Sequence, residues 1–197
     1  ANVKVGIDDV TPSYKLDVAG DFGINGAMYY NGARMLFTEG PGGTGPMGSN
    51  LYLGINAGNT VTPNGSYANT AMGVLAMTNL SSSAGYNTAM GCLTLRDLTT
   101  GSGNTTSGSS SGFRTTTGMN NVFIGNKAAI NNQTGSDNVA IGTNTASDQS
   151  SGSGDIGDEN VMIGTNAGGA LTTNADGNVC VGFSAGYFHK NGNRNIY

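Results

Sequence analysis

The chain contains no tryptophan, one histidine, two cysteines and four prolines among its 197 residues, and only 10 % of those residues are charged. With His189 as the single imidazole, neither a His-based metal cluster nor a Ser-His-Asp relay can be assembled within one chain. Cys92 and Cys180 allow at most one bridge, and they read as unbridged, space-filling thiols. The 8 Lys and Arg residues are scattered singly and the formal net charge is -4, so there is no basic track for a phosphate backbone and no nucleic-acid partner is expected. No apolar run approaches the ~20 residues that span a bilayer, and the first residues do not resemble a signal peptide; no membrane insertion is expected.

Catalytic pairs are equally scarce. The twelve acids are mostly isolated, and Asp8 and Asp9 are adjacent in a turn, a poor geometry for paired carboxylates. No Gly-x-Ser-x-Gly elbow is present. Asp155, Asp158 and Glu159 fall together, but without the spacing of a calcium loop, and they read as a solvated turn. The expectation is a protein that is not an enzyme, with no catalytic residues, no cofactor and no metal.

What the chain does have is glycine, 34 residues of it, in register with a nine-residue phrase. The phrase is Asn-apolar-x-apolar-Gly-x-x-(Ala/Thr)-x. It starts at Asn50, Asn69, Asn87, Asn121, Asn138, Asn160 and Asn178, and the chain stops inside another copy at Asn195. Between Asn87 and Asn121 the interval is doubled, and Asn104-Thr-Thr-Ser-Gly108 falls midway with the Asn and Gly but no apolar residues. The wider interval after Asn138 places an insertion within 147–159. Repetition of this kind argues for a solenoid whose coils stack like on like, and the Gly and Asn density argues against helices.

Residues two apart in a strand share a face. The fourth place of the phrase is apolar in every clear copy: Leu53, Met72, Met90, Ile124, Ile141, Ile163 and Val181. With the second place it is expected to form the repeat core. Glycine at the fifth place (Gly54, Gly73, Gly91, Gly125, Gly142, Gly164 and Gly182) suits a corner of positive φ or a close approach of the neighbouring coil. The small eighth-place residues (Ala57, Ala76, Thr94, Ala128, Thr145, Ala167 and Ala185) limit the width of the coil. Two or three medium apolar side chains per coil make a thin core, so further burial is expected from other copies of the chain.

Residues 1–39 read as a separate β-rich connector, with short strands around 3–7 and 15–18, an Asp9-Val-Thr-Pro12 turn and an Asn31-Gly32 hairpin turn. Phe22, Ile24, Met28, Tyr30 and Leu36 are its core candidates. Residues 40–49, rich in Gly and Pro, form a hinge, and 50–197 form the repeat roll.

The phrases Asn-Val-Ala-Ile-Gly142-Thr-Asn-Thr-Ala146 and Asn-Val-Met-Ile-Gly164-Thr-Asn-Ala-Gly168 resemble the head repeats of trimeric autotransporter adhesins and of bacteriophage tail fibres. The leader ending Tyr14-Lys-Leu-Asp-Val-Ala-Gly20 resembles the segment before such repeats in phage fibres. The resemblance implies an all-β fold: a trimeric parallel β-roll or β-solenoid of about eight short coils behind a small β-rich connector. The intervals here are longer than in adhesin heads, so loops are expected to protrude. No residues of the C-terminal chaperone of such fibres are found, and the stop at Tyr197 reads as a fragment or a partly ordered chain.

The functional expectation is a structural segment of a trimeric extracellular phage fibre, on the virion, with a contribution to host-surface attachment. Its partners would be two further copies, other fibre or virion proteins, and a host glycan or protein. The alternatives are the head of a bacterial trimeric adhesin at the cell surface and a glycan-depolymerising tailspike with an inter-subunit site. Phe113 and Arg114, an aromatic plate beside a multivalent donor in the degenerate region 98–118, are the candidate surface-binding residues. The Thr-Thr pairs read as turn chemistry rather than an ice-binding array.

Overall fold

Asparagine at the first place of each phrase ties one coil to the next. In the computed structural model, which describes residues 50–58, 66–81, 83–147, 155–188 and 191–197 in full and the backbone of four earlier strands, these asparagines form one continuous ladder. Each side-chain carbonyl oxygen accepts both the backbone N–H and the side-chain amide of the next asparagine, at 2.9–3.2 Å, from Asn50 through Asn69, Asn87, Asn104, Asn121, Asn138, Asn160 and Asn178 to Asn195. The second amide proton goes to a main-chain carbonyl, as from Asn87 to Gly101 at 3.0 Å and from Asn121 to Gly135 at 2.9 Å. The first eight asparagines are 0–1 % exposed. A buried amide is tolerable only when its donors and acceptor are used, and here the stack uses them.

Among the described residues there are twelve strands. They are β1 (Val5–Ile7), β2 (Leu16–Val18), β3 (Ala27–Tyr30), β4 (Ala33–Glu39), β5 (Asn50–Leu53), β6 (Thr70–Met72), β7 (Thr88–Met90), β8 (Thr105–Ser107), β9 (Val122–Ile124), β10 (Val139–Ile141), β11 (Val161–Ile163) and β12 (Val179–Val181). Strands β5 to β12 are all parallel and in register place for place, as in Val139↔Val161 and Ile141↔Ile163. The protein is therefore a parallel β-solenoid, with no helix among the described residues. Eight phrases give eight strands and hence seven connecting circuits, and the Val179↔Ile196 bridge begins the next. The degenerate copy supplies a full strand, β8, held by the Asn104 and Gly108 that it retains.

The sheet does not stop at the first phrase. Strand β4 pairs antiparallel with β5 (Leu36↔Leu53, Glu39↔Asn50), and β3 pairs antiparallel with β4, giving ten strands in one sheet. The hairpin expected at Asn31-Gly32 is present as two antiparallel strands two residues apart. It covers the edge of the solenoid, and the hinge expected at 40–49 lies outside the described residues. β1 and β2 pair parallel, an arrangement that no tight turn provides. The connector's five core candidates lie outside the residues whose side chains are described.

Each coil has one strand, and turns close the rest of the circuit. At the fifth place φ is positive throughout, from +126° at Gly108 to +145° at Gly73. A Cβ on Gly54 would sit 2.5 Å from the Gly73 carbonyl oxygen, and one on Gly91 would sit 2.6 Å from that of Gly108. Both expected reasons for glycine thus apply at the same place. The seventh and ninth places also have positive φ, even at Leu75, Met77, Leu93 and Leu95. That strain, roughly 1 kcal/mol or more per L-residue, is offset by hydrogen bonds that alternate in direction. Leu75 N–H donates to the preceding coil at Ile55, and Met77 N–H to the following coil at Thr94.

The third place points inward, together with the eighth and ninth. Tyr52, Ala71, Ala89, Phe123, Ala140, Met162 and Cys180 are all 0 % exposed. The expected repeat core is therefore corrected. Leu53, Met72, Met90, Ile124, Ile163 and Val181 are exposed on the other face of the sheet, and Ile141 is half-buried there. The reason is room. The circuit is narrow, and within most coils the third and ninth places share one space. Tyr52 faces Gly58 and Met162 faces Gly168, whereas Ala71 accompanies Met77 and Ala89 accompanies Leu95. A Cβ on Gly58 would lie 2.6 Å from the Tyr52 ring, and one on Gly168 would lie 2.7 Å from Met162 Cγ. About one large side chain fits between the third and ninth places of a coil, which is all the packing density of a protein interior allows.

The apolar core is interrupted once. One cluster runs from Tyr52 to Leu98 and the other from Phe123 to Cys180. Between them the β8 coil buries hydroxyls: Thr106 Oγ1 lies 2.8 Å from Thr94 Oγ1, and Ser111 donates to the Phe123 carbonyl at 2.9 Å.

Candidate interaction surface

Alternation along the strand sends the second and fourth places outward. Stacked in register, they make a rail along one side of the solenoid, from Leu51 and Leu53 through Met72, Met90, Ile124 and Ile163 to Val181, each 38–55 % exposed. In β5 to β12 neither place carries a charged side chain. Exposed Ile55, Val74 and Cys92 at the sixth place widen the rail over the first three coils. An uncharged, largely apolar strip of this kind is the ordinary mark of a protein-binding face.

Of the two surface candidates, Arg114 is exposed and its N–H is bound to the Ile130 carbonyl, while Phe113 is half-buried. They do not form a joint plate. The cation over Phe113 is Arg96, one coil earlier, whose guanidinium carbon lies 3.7 Å from the ring centroid. Arg96 is held there by Asp97, with Nε and Nη2 donating to the carboxylate at 2.7 and 2.8 Å, and Asp97 also accepts from Asn79 at 3.1 Å. This neighbour keeps the Arg96 proton bound more firmly than usual, chiefly through the side-chain hydrogen bond. Arg96 and Asp97 were missed in the sequence, although Arg96 stands one coil length before Phe113.

Two acids of the insertion, Asp155 and Asp158, brace the backbone of the preceding coil. Asp155 is buried. Its carboxylate accepts the N–H groups of Gln133 and Thr134 at 2.7 and 2.6 Å and the Thr134 hydroxyl at 2.7 Å. In the two preceding coils the same work is done by main-chain carbonyls: Thr116 O accepts from Thr99, Thr100 and Gly101, and Gln133 O accepts from Thr116, Thr117 and Gly118. Asp155 thus replaces with its side chain the backbone that the insertion displaces, and it is not the solvated turn residue expected. Asp158 and Asp176 accept the N–H groups of Ser136 and Asp158 at 2.7 and 3.0 Å, lining a shallow polar hollow with Glu159 and Arg194. Among the described residues no three His, Cys, Asp or Glu side chains are placed to hold a metal ion.

The two cysteines differ. Cys92 is exposed beside the rail, while burial pushes the Cys180 thiol above its ordinary pKa. His189 lies outside the described residues. The threonines do align, with Thr99 and Thr116 donating to the carbonyls of Thr116 and Gln133, but in two successive coils and not along the whole stack.

No family model, curated protein or solved structure matches the chain. What the coordinates define is a class of architecture: a parallel β-solenoid with a polar spine of asparagine inside and an uncharged apolar rail outside.

Proposed function

We propose that this chain is a structural segment of a homotrimeric extracellular fibre, with the rail as the face between copies. The observation that carries the reading is the rail itself, an uncharged strip that repeats with the coil spacing over eight strands and is apolar in all of them but β8. A partner covering it must present apolar groups at the same spacing, and a second copy does so by construction. Three copies around an axis parallel to the stack would cover every rail, in line with the resemblance to phage fibres and adhesin heads. The low charge and the continuous asparagine ladder suit a spacer.

Light scattering on the Ile124→Asp/Ile163→Asp double variant tests the proposal. Both side chains face outward, so the coil should fold while association is lost. An unchanged mass in the folded variant would remove the rail from the interface.

Attachment to a host glycan would draw on the exposed donor Arg114 and the Arg96–Phe113 stack. Its test is glycan binding by wild type against Arg114→Ala, and equal binding excludes Arg114.

A further inference from the structure

The β8 coil differs from the others on both of its faces. Inside, it carries Thr106 at the third place, where the neighbouring coils carry Ala89 and Phe123, and Ser111 at the eighth, between Thr94 and Ala128, and these hydroxyls are satisfied within the stack. Outside, Thr105 and Ser107 occupy the two rail places, and β8 is the one strand of the eight in which both are hydroxyl residues. The core tolerates this break through its internal hydrogen bonds. The rail hydroxyls have a different consequence, because they sit where another copy would lie.

Identical rungs raise a problem of register. A rail that repeats every coil would fit a neighbouring rail equally well when shifted by one rung, ~4.8 Å, and only the ends would lose contacts. We infer that the β8 coil fixes the axial register of copies packed rail to rail: Thr105 and Ser107 of each copy meet their counterparts at one height, and a shift by a rung sets Ser107 against Met90 or Ile124 of the neighbour and Thr105 against Thr88 or Val122. A hydroxyl pressed against an apolar surface without a partner is disfavoured, while hydroxyls grouped at one level satisfy one another. The logic is that of a single polar residue in a repetitive apolar seam, which gives up stability and selects one alignment. The occupant is a second copy, because it alone is bound to carry the polar break at the matching height. This inference rests on the homotrimer reading.

The test moves the break. In one variant Thr105→Val and Ser107→Ile restore the rail at β8, while Val139→Thr and Ile141→Ser place a break two coils further on. Tagged wild-type chains are refolded with untagged variant chains, and native mass spectrometry counts mixed trimers. Tagged and untagged wild type should mix in binomial proportions. Wild type and the moved-break variant should give mixed trimers depleted by about tenfold or more, since one misplaced hydroxyl pair corresponds to roughly that factor. Binomial mixing of the moved-break variant would overturn the inference. If that variant does not fold, Thr105→Val/Ser107→Ile alone is mixed in its place and read by the same two outcomes. A wild type that is monomeric throughout would defeat the trimer reading itself, a result distinct from trimers that mix freely.

Discussion

The side-chain oxygen of Asn138 accepts both the backbone N–H and the side-chain amide of Asn160, at 2.9 and 3.2 Å, although 22 residues separate the two. Elsewhere in the ladder the separation is 17 to 19 residues. The longer circuit is accommodated at its far side, where the Asp155 carboxylate takes over from a main-chain carbonyl, and the rung at Asn138 keeps its geometry.

Replacing Asn138 with Asp should therefore be severe despite the conserved shape. The amide donors to Asn121 Oδ1, the Ser136 carbonyl and the Gly157 carbonyl would vanish, and a carboxylate would face those acceptors in a buried site. A loss of about 2–4 kcal/mol is expected from unpaired buried groups and a buried charge, read as a lower denaturation midpoint. A shift smaller than that of an exposed Asn126→Asp control would contradict the spine's role.

Facing is tested by a second pair. Ala140→Asp buries a charge in the narrow core and should prevent folding of the coil. Ile163→Asp leaves the charge outside the single chain and should retain the β circular dichroism of wild type. Equal damage from both would reject the inward third place.

The shared interior space predicts coupling. Gly168→Met should be destabilising by about 1–3 kcal/mol from overpacking against Met162, plus about 1–2 kcal/mol for a side chain at positive φ. Adding Met162→Ala recreates the Ala71 and Met77 arrangement and should recover most of the overpacking term. A double-mutant cycle with no coupling would show that the two places do not share a void.

The capping role of Asp155 is checked by amide exchange. In Asp155→Ala the N–H groups of Gln133 and Thr134 lose their acceptor. Their exchange should accelerate well beyond that of Val122, whose N–H stays bound to the Asn138 carbonyl. A global loss of about 2–3 kcal/mol is also expected for removing a charged acceptor from three donors. Unchanged exchange at both amides would contradict it.

The spacing of Asn and Gly was enough to read the parallel stack, the glycine corner and the small eighth place, because each follows from what a single backbone position tolerates. Facing was not legible from the strand alone. Val-x-Ile places two residues on one face without saying which face is inside, and the intervening Ala140, Phe123 or Met162 is apolar too. The deciding signal was the inverse size of the third and ninth places, Tyr52 with Gly58 and Ala89 with Leu95, which only residues sharing a void would keep. Phe113 was singled out by type, whereas its partner Arg96 is found only by stepping back one coil.

The most direct measurement of the central claim is sedimentation equilibrium of the wild-type chain over a range of concentrations. The account predicts a single species of three times 19.8 kDa, persisting on dilution because the rail is apolar along its length. A stable monomer of 19.8 kDa, folded and with the rail open to solvent, would contradict it.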